Sequence, residues 1–240
     1  MRYLCINIDG GLGRLDRIKW VEKVMLDHDL SVICIIESAV PKEINPPNIL
    51  DSIYDCSYFN AHRIVVYHKK SFAFTVTKVD TGIPNIVLHG RELTLGFIYS
   101  EFRDLTVPNS IKYTDNKRMD LLINTFSAIN NSSLKKVIIC GDMNANILRP
   151  EAWCRRYTEA VAEMEFSQII EQPTRLIRGN MIDNTLIDHI WKKNIDGQGF
   201  VLPGIGDHEA IMFQTDRKPM KKMKSFKQNY DLFFRVSCPW

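Results

Sequence analysis

The chain has 240 residues and a mass of 27.8 kDa, which fits one large domain or two small ones. Apolar residues make up 45% and charged residues 25%, which excludes a disordered chain, a collagen and a coiled coil. The net charge of +3 is uneven. Residues 216–240 hold seven basic and two acidic side chains, which leaves 24 basic and 26 acidic side chains, a net charge of −2, for residues 1–215. Binding of nucleic acid by the main body would therefore need a local basic patch.

The start of the sequence and its cysteines indicate where the protein works. Strand-like sequence begins at once, so we expect no signal or transit peptide, and no apolar run approaches the roughly 20 residues of a membrane helix. The six cysteines form no CxxC pair, and Cys5, Cys34 and Cys140 lie inside apolar runs, where a thiol packs as a small apolar group. We therefore expect reduced cysteines and a nuclear or cytoplasmic protein that is not secreted and has no membrane partner.

Hydrophobic periodicity predicts strands and helices in alternation along residues 1–215. In chain order, the predicted elements are a strand at 3–8, a helix at 14–29, strands at 31–37, 63–68, 72–79, 86–89 and 92–99, a helix at 115–129, a strand at 136–140, a helix at 151–166, a hairpin within 174–185, and strands at 186–191 and 209–214. From residue 216 the apolar periodicity stops. We therefore place a single α/β domain at 1–215 and a basic tail or linker at 216–240.

Polar side chains collect where the predicted strands end. They are, in chain order, Asn7, Asp9, Glu37, Tyr99, Asp142, Asn144, Asp188, Asp207 and His208. Taken singly, such residues are usually turn formers or ordinary surface groups. Taken together, they supply oxygen ligands for a hard cation and groups for acid–base chemistry, held on loops by a rigid sheet.

This ordered set resembles the endonuclease/exonuclease/phosphatase superfamily of metal-dependent phosphodiesterases. The motifs that carry the resemblance are Cys-Ile-Asn-Ile-Asp-Gly at 5–10, Cys-Ile-Ile-Glu-Ser at 34–38, Gly-Phe-Ile-Tyr at 96–99, Gly-Asp-Met-Asn at 141–144, Leu-Ile-Asp-His-Ile at 186–190 and Gly-Asp-His at 206–208. The stretch Gln-Pro-Thr-Arg at 172–175 and the basic tail are similar to the apurinic-type endonuclease domain of non-LTR (LINE-like) retrotransposons. The resemblance implies a four-layered α/β sandwich, in which two packed mixed β-sheets are flanked by helices.

The resemblance also implies a metal site and a set of catalytic roles. Glu37, helped by Asn7, would hold Mg²⁺, with Mn²⁺ as a substitute, and Asp207 and Asp9 are further candidate ligands. The implied catalytic residues are Asp142, which activates the attacking water, Asn144, which positions it, His208, which binds a phosphate oxygen, Asp188, which pairs with His208, and Tyr99, which donates to the phosphate or the leaving group.

The implied substrate is DNA, nicked to leave a 3′-hydroxyl that primes reverse transcription. Arg175 and Arg178 flank the predicted hairpin and, with Thr185, are the expected DNA contacts, although a solvated surface turn is an equally good interpretation of this segment. A reverse transcriptase fused after residue 240 is the partner that the retrotransposon branch implies.

Several alternatives stay open on the sequence alone, because this fold serves many hydrolases. They are an AP-site repair nuclease, an inositol-phosphate phosphatase, a sphingomyelinase, an RNA deadenylase and a non-catalytic relic domain. The sequence departs from the superfamily pattern at Ser100-Glu101-Phe102, where a Pro-rich turn that contacts phosphate is usual. Gly206 replaces the usual Ser, and Met143 replaces Phe in a packing position.

Overall fold

The computed structural model describes residues 1–41, 43–60, 62–102, 112–130 and 136–215. The helices in these residues are α1 (Leu15–Asp27), α2 (Asp115–Asn130) and α3 (Ala152–Glu163). The strands are β1 (Arg2–Asn7), β2 (Val32–Ile36), β3 (Tyr54–Ser57), β4 (Ile64–Lys69), β5 (Thr75–Thr77), β6 (Asn85–His89), β7 (Leu93–Tyr99), β8 (Lys136–Asp142), β9 (Ser167–Gln168), β10 (Arg175–Arg178), β11 (Met181–Thr185), β12 (Asp188–Lys193), β13 (Gln198–Leu202) and β14 (Ala210–Gln214).

The strands form two six-stranded mixed sheets and one separate hairpin. The first sheet has the order β13-β14-β1-β2-β4-β3, and the second has the order β5-β6-β7-β8-β12-β9. Each sheet contains one parallel pair near its centre, β1–β2 in the first and β7–β8 in the second. The carboxyl ends of these parallel strands meet at one edge of each sheet, where side chains on the following loops come together.

The two sheets pack face to face, and helices cover their outer faces. Alternation along β1 shows the arrangement, because Tyr3 and Cys5 enter the core between the sheets while Leu4 and Ile6 face α1. On the other side, α2 and α3 pack on the second sheet through an aromatic cluster around Phe126. The order of layers is therefore helix, sheet, sheet and helix pair, which confirms the predicted four-layered α/β sandwich.

The predicted elements are present, and the structure adds three short strands that periodicity did not indicate. All three, β3, β9 and β13, are edge strands of their sheets and are two to five residues long. The strand predicted at 72–79 is only three residues long, because β5 lies at the edge of its sheet and pairs with β6 alone. Edge strands carry a weak pattern, since one side has no neighbour to pack against.

Two features frame the described domain. At its end, β14 pairs with β1, and the Thr215 amide donates to the Met1 carbonyl at 3.0 Å. The predicted tail at 216–240 lies outside the described residues.

The hairpin β10–β11 projects from the body and exposes four large apolar side chains, Leu176, Ile177, Met181 and Ile182. Among the described helices, none combines the length and apolar character that crossing a bilayer requires.

Gly141, at the end of β8, sits where the backbone has no room for a side chain. Its φ is +154°, and a Cβ at this position would overlap the carbonyl oxygen of Ile98 on the neighbouring strand β7. Glycine is therefore required here by the close approach of two parallel strands. The approach sets the position of the next residue, Asp142.

Candidate active site

The ends of strands from both sheets meet at one place. Tyr99 and Asp142 are register partners at the ends of β7 and β8, and Asp188 lies opposite Asp142 at the start of β12. From the first sheet come Asn7, the last residue of β1, and Glu37, which follows β2. These five residues and His208 lie in one cluster. Hydrogen bonds join Asn7 with Glu37 and Asp142, Tyr99 with Glu37, and His208 with Asp188, and the ligand atoms of Asp142, Asp188 and His208 lie within 4.8 Å of one another.

Asn7 joins the two sheets at this cluster. Its amide Nδ2 donates to Glu37 Oε1 at 3.1 Å and to Asp142 Oδ2 at 3.0 Å. Its Oδ1 accepts the backbone N–H of Asp9 at 3.0 Å, which fixes the orientation of the amide. Both donor hydrogens of Asn7 are thus directed at carboxylates, one on each sheet.

Glu37 is held from two sides but is not fully enclosed. The Tyr99 hydroxyl donates to Glu37 Oε1 at 2.5 Å, so both side-chain hydrogen bonds of this carboxylate within the described residues fall on the same oxygen. Burial, followed by the carboxylates of Glu37 and Asp142, raises the pKa of Tyr99, so its hydroxyl remains a donor. The backbone at Glu37 has a φ of +52°, a left-handed conformation that turns the chain at the strand end.

The site offers two candidate arrangements for a metal ion. The ligand atoms of Asp142, Asp188 and His208 lie within 4.8 Å of one another. However, His208 Nδ1 donates to Asp188 Oδ2 at 2.8 Å, and an imidazolium has no lone pair for a metal. The half-buried carboxylate of Glu37, whose Oε2 receives neither of the two side-chain hydrogen bonds to this residue, and the carboxylate of Asp142, linked to it through Asn7 Nδ2, offer oxygen donors that suit a hard divalent cation. We favour Glu37 on this ground.

His208 and Asp188 form a buried ion pair next to Asp142. The side chains of His208 and Asp188 are each 3% exposed. Burial lowers the pKa of His208, but the charge and hydrogen bond of Asp188 outweigh it and raise that pKa to about 9. Burial, and then the neighbouring Asp188, raise the pKa of Asp142 to about 7. Near neutral pH the site therefore holds a cationic imidazole beside a carboxyl group poised to exchange a proton.

Asn144 and Asp9 occupy left-handed turns beside this cluster. The Asn144 backbone N–H donates to Asp142 Oδ1 at 2.9 Å, and its side-chain Nδ2 donates to the carbonyl of Ser100 at 3.0 Å. These contacts bring Asn144 into the cluster at the end of β8. Asp9 is exposed and has a φ of +33°, so it lies at the rim and not inside.

Asp207 and Arg175 were predicted to have separate roles, but the structure places them against each other. Arg175 Nε donates to Asp207 Oδ2 at 2.8 Å, and its Nη2 contacts the same oxygen. Asp183 on the hairpin lies 3.7 Å from Arg175 Nε. The Oδ2 atom of Asp207 is thus engaged by a guanidinium, which competes with a metal ion for that oxygen.

The other predicted DNA contacts lie on the hairpin. Arg178 is exposed at the end of β10, where it is accessible to a ligand. Thr185 is half-buried at the end of β11, and its Oγ1 has no hydrogen-bond partner among the described residues. Thr185 lies at the base of the hairpin and directly precedes the segment that leads to Asp188, whereas Arg178 lies next to the turn of the hairpin.

Two structural contacts at the site were not anticipated from the sequence. Thr174 is fully buried, and its Oγ1 accepts the backbone N–H groups of Ile187 at 3.2 Å and Asp188 at 3.0 Å. Arg63 Nε lies 2.6 Å from Glu101 Oε1, a bridge that ties β4 to the end of β7. The Arg63 carbonyl also accepts the Glu37 N–H at 2.8 Å. Thr174 belongs to a quoted motif and could have been found, whereas nothing in the sequence marks Arg63.

Comparisons with solved structures identify the fold. The structure of the 3′ phosphatase NExo from Neisseria, bound to a product DNA hairpin, matches with a TM-score of 0.65 at 14% identity, over 90% of this chain and 99% of that chain. An AP endonuclease from Archaeoglobus fulgidus matches with a TM-score of 0.67 at 12% identity, over 90% and 99%. The endonuclease domain of TRAS1, a telomere-specific non-LTR retrotransposon, matches with a TM-score of 0.59 at 14% identity, over 88% and 96%.

These likenesses confirm the predicted fold of the endonuclease/exonuclease/phosphatase type and, at such identities, concern the fold alone. A scan against protein-family models gives no match, and a search of curated proteins gives none either. Function is consequently inferred from the geometry of the cluster.

Proposed function

We propose that this chain is a divalent-metal-dependent phosphodiesterase that nicks DNA and leaves a 3′-hydroxyl. The observation that carries the proposal is the double donation by Asn7, which fixes a candidate metal carboxylate, Glu37, beside a buried Asp142. The His208–Asp188 ion pair lies on the other side of Asp142. Together these groups provide the requirements of phosphodiester hydrolysis, which are charge neutralisation, a base and a cationic donor.

A divalent cation, Mg²⁺ or Mn²⁺ in its place, would be held by Glu37, whose carboxylate Asn7 orients, and would neutralise the anionic phosphodiester. Asp142 accepts a proton from the attacking water, a role suited to a carboxyl group whose pKa is raised to about 7. Asn144, anchored to Asp142 and to Ser100, orients that water.

The remaining groups act on the phosphate. His208, cationic through its contact with Asp188, donates from Nε2 to a non-bridging oxygen as negative charge accumulates in the transition state. Asp188 holds the ring of His208 and its charge. Tyr99, whose hydroxyl remains protonated, would redirect its single O–H from Glu37 Oε1 to the phosphate or to the leaving oxygen.

The finer assignment is the endonuclease of a non-LTR retrotransposon, with a fused reverse transcriptase as partner and the nucleus or cytoplasm as location. Support comes from the Pro-Thr-Arg and Ile-Asp-His-Ile motifs, the basic tail and the likeness to the TRAS1 endonuclease fold. The five described cysteines are free thiols, which agrees with a reducing compartment.

A nicking assay tests the proposal. The full chain, with Mg²⁺, should convert supercoiled plasmid to the open circle, and a polymerase should extend the nick directly because its 3′ end is a hydroxyl. Asp142→Asn should abolish nicking, whereas Glu92→Gln, which alters an exposed pair with Lys136, should not. Activity on a phosphoinositide without nicking, or on an AP-site duplex alone, would assign the cluster to another substrate.

A further inference from the structure

The segment Thr174–Arg175 contacts the hairpin, β12 and the loop that carries His208. The Thr174 amide donates to the Thr185 carbonyl at 2.9 Å, which closes the base of the hairpin. Its carbonyl accepts the N–H of Glu209 at 2.6 Å, and its Oγ1 accepts the N–H of Asp188 at 3.0 Å. One buried threonine therefore connects the hairpin with Asp188 and with Glu209, the residue that follows His208.

Arg175 extends this connection through its side chain. Its backbone forms an isolated antiparallel bridge with His208, and its guanidinium contacts Asp207, the residue before His208. The side chains of Arg175 and Asp207 are only 19% and 18% exposed, so this ion pair is shielded from water and from salt. A planar guanidinium with two contacts to one carboxylate oxygen fixes the direction of both side chains.

Asp207 also faces His208 itself. Its Oδ1 lies 3.8 Å from His208 Nε2, is buried, and has no hydrogen-bond partner among the described residues. The Arg175 contact to Oδ2 therefore determines where this second oxygen lies relative to the imidazole edge that is directed at the phosphate. Without Arg175, the carboxylate would be free to rotate toward the imidazolium and to compete with the phosphate for it.

We propose that Arg175 is a positioning residue for His208 and not a direct DNA contact, and that it couples the hairpin to the His208–Asp188 pair. The proposal rests on the proposed phosphodiesterase function, because its consequence is on turnover. Displacing a catalytic group by about 1 Å costs on the order of 10²-fold in rate. We expect Arg175 to influence the rate of bond cleavage through the placement of His208 more than it influences the affinity for DNA.

The test separates these two effects. Arg175→Gln and Asp207→Asn should each lower the single-turnover rate at saturating duplex by about 10- to 100-fold. The affinity for the duplex, measured by fluorescence anisotropy in EDTA, should change by less than about threefold, since no phosphate contact is lost. Arg175→Lys, which keeps the charge, should recover part of the rate. The double variant should be no worse than the more damaged single variant.

Arg156→Gln is the matched control, because Arg156 pairs with Asp120 on the surface between α3 and α2. It should have the wild-type rate and affinity. Loss of affinity in Arg175→Gln, with about one unit less of log–log salt slope and an unchanged saturating rate, would make Arg175 a DNA contact and overturn the proposal. Strictly multiplicative losses in the double variant would overturn it as well.

A structural readout does not depend on activity. In the ¹H–¹⁵N spectrum of the histidine rings, the His208 Nδ1–H donated to Asp188 should be protected from exchange in the wild type. Exchange should be faster in Arg175→Gln and near wild type in Arg175→Lys. If the wild-type chain does not cleave DNA, the proposed function fails, and this spectrum still decides the coupling. Unchanged protection in a folded Arg175→Gln would refute it.

Discussion

Asp142 and Asp188 lie directly opposite each other in the antiparallel pair of β8 and β12. Two carboxylates at such a position repel each other, and both are almost completely buried. Two contacts reduce this repulsion: His208 donates to Asp188 on one side, and Asn7 donates to Asp142 on the other. Asp142 and His208 consequently titrate next to the same buried carboxylate, and removing Asp188 should change the protonation of both.

The pairing of Asp188 with His208 leads to a prediction on additivity. We expect His208→Ala to lower single-turnover cleavage by about 10²- to 10³-fold, as for loss of one transition-state donor. Asp188→Asn should lose much of the same stabilisation. The double variant should be clearly less damaged than the product of the two single losses. Rates at saturating Mg²⁺ measure this, and strictly multiplicative losses would contradict a shared role.

The two raised pKa values predict a bell-shaped dependence of cleavage on pH. Asp142, buried and next to Asp188, has a pKa of about 7 and acts only when deprotonated, so the rate should rise through that pH. Burial lowers the pKa of His208, but Asp188 raises it to about 9. His208 acts only when protonated, so the rate should fall above that pH. Rates of His208→Ala should lack the alkaline fall. A fall that persists in this variant would assign it to another group.

Glu37 is expected to be the principal metal ligand. Glu37→Gln keeps the size of the side chain and an oxygen that can accept from Asn7 and Tyr99, but it removes the charge. We expect nicking to be lost, and the affinity for Mn²⁺, measured by electron paramagnetic resonance, to fall by at least about tenfold. Glu92→Gln controls for general effects of charge. Tight Mn²⁺ binding by a folded Glu37→Gln would move the metal to another set of ligands.

His189 should make stability depend on pH in the acid range. Burial lowers its pKa to about 4, because the neutral ring is enclosed, with Nε2 2.9 Å from the Ala145 carbonyl and Nδ1 3.3 Å from the Tyr157 hydroxyl. The unfolded chain takes up this proton near pH 6.5 and the folded chain only near pH 4. Stability is therefore full above pH 6.5 and falls by up to about 3 kcal/mol as the pH drops to 4.

Chemical denaturation at several pH values measures this dependence. His189→Gln, which retains a donor, should be less stable at pH 7.5 but should lose less stability on acidification than the wild type. The buried His28 and His68, whose pKa values burial also lowers, contribute to the slope in both proteins. Identical slopes in the variant and the wild type would mean that His189 does not account for the effect.

The basic tail should matter for binding and not for folding. We expect a chain ending at residue 215 to fold, because β14 is already paired with β1 and β13. Its affinity for DNA at low salt should drop, and the log–log salt slope should flatten by about one unit for each phosphate contact removed. The cleavage rate at saturating DNA should remain similar. An unfolded truncated chain would show that the domain extends past residue 215.

Much of the fold could be predicted because its central strands are buried on both faces. Runs such as Val32–Ile36 carry a strong apolar signal, and the polar residues that follow them mark the end of each sheet where the site forms. The edge strand β3 and the short β9 carry little pattern, since each packs against few residues. The Arg175–Asp207 contact was missed because the two residues are 32 positions apart. The charge of each residue is visible in the sequence, but the partner that it contacts in the folded chain is not.

Gly141 and Asp142 are neighbours in one motif, yet they are irreplaceable for different reasons. A saturation library of residues 141–144 would separate them if abundance were scored along with cleavage. Every substitution at Gly141 should deplete the protein itself, because any Cβ would push β7 away from β8. Substitutions at Asp142 such as Asn should leave the protein abundant but inactive. Two adjacent positions of one short motif would thus be required for different reasons, Gly141 for the folding of the chain and Asp142 for its chemistry.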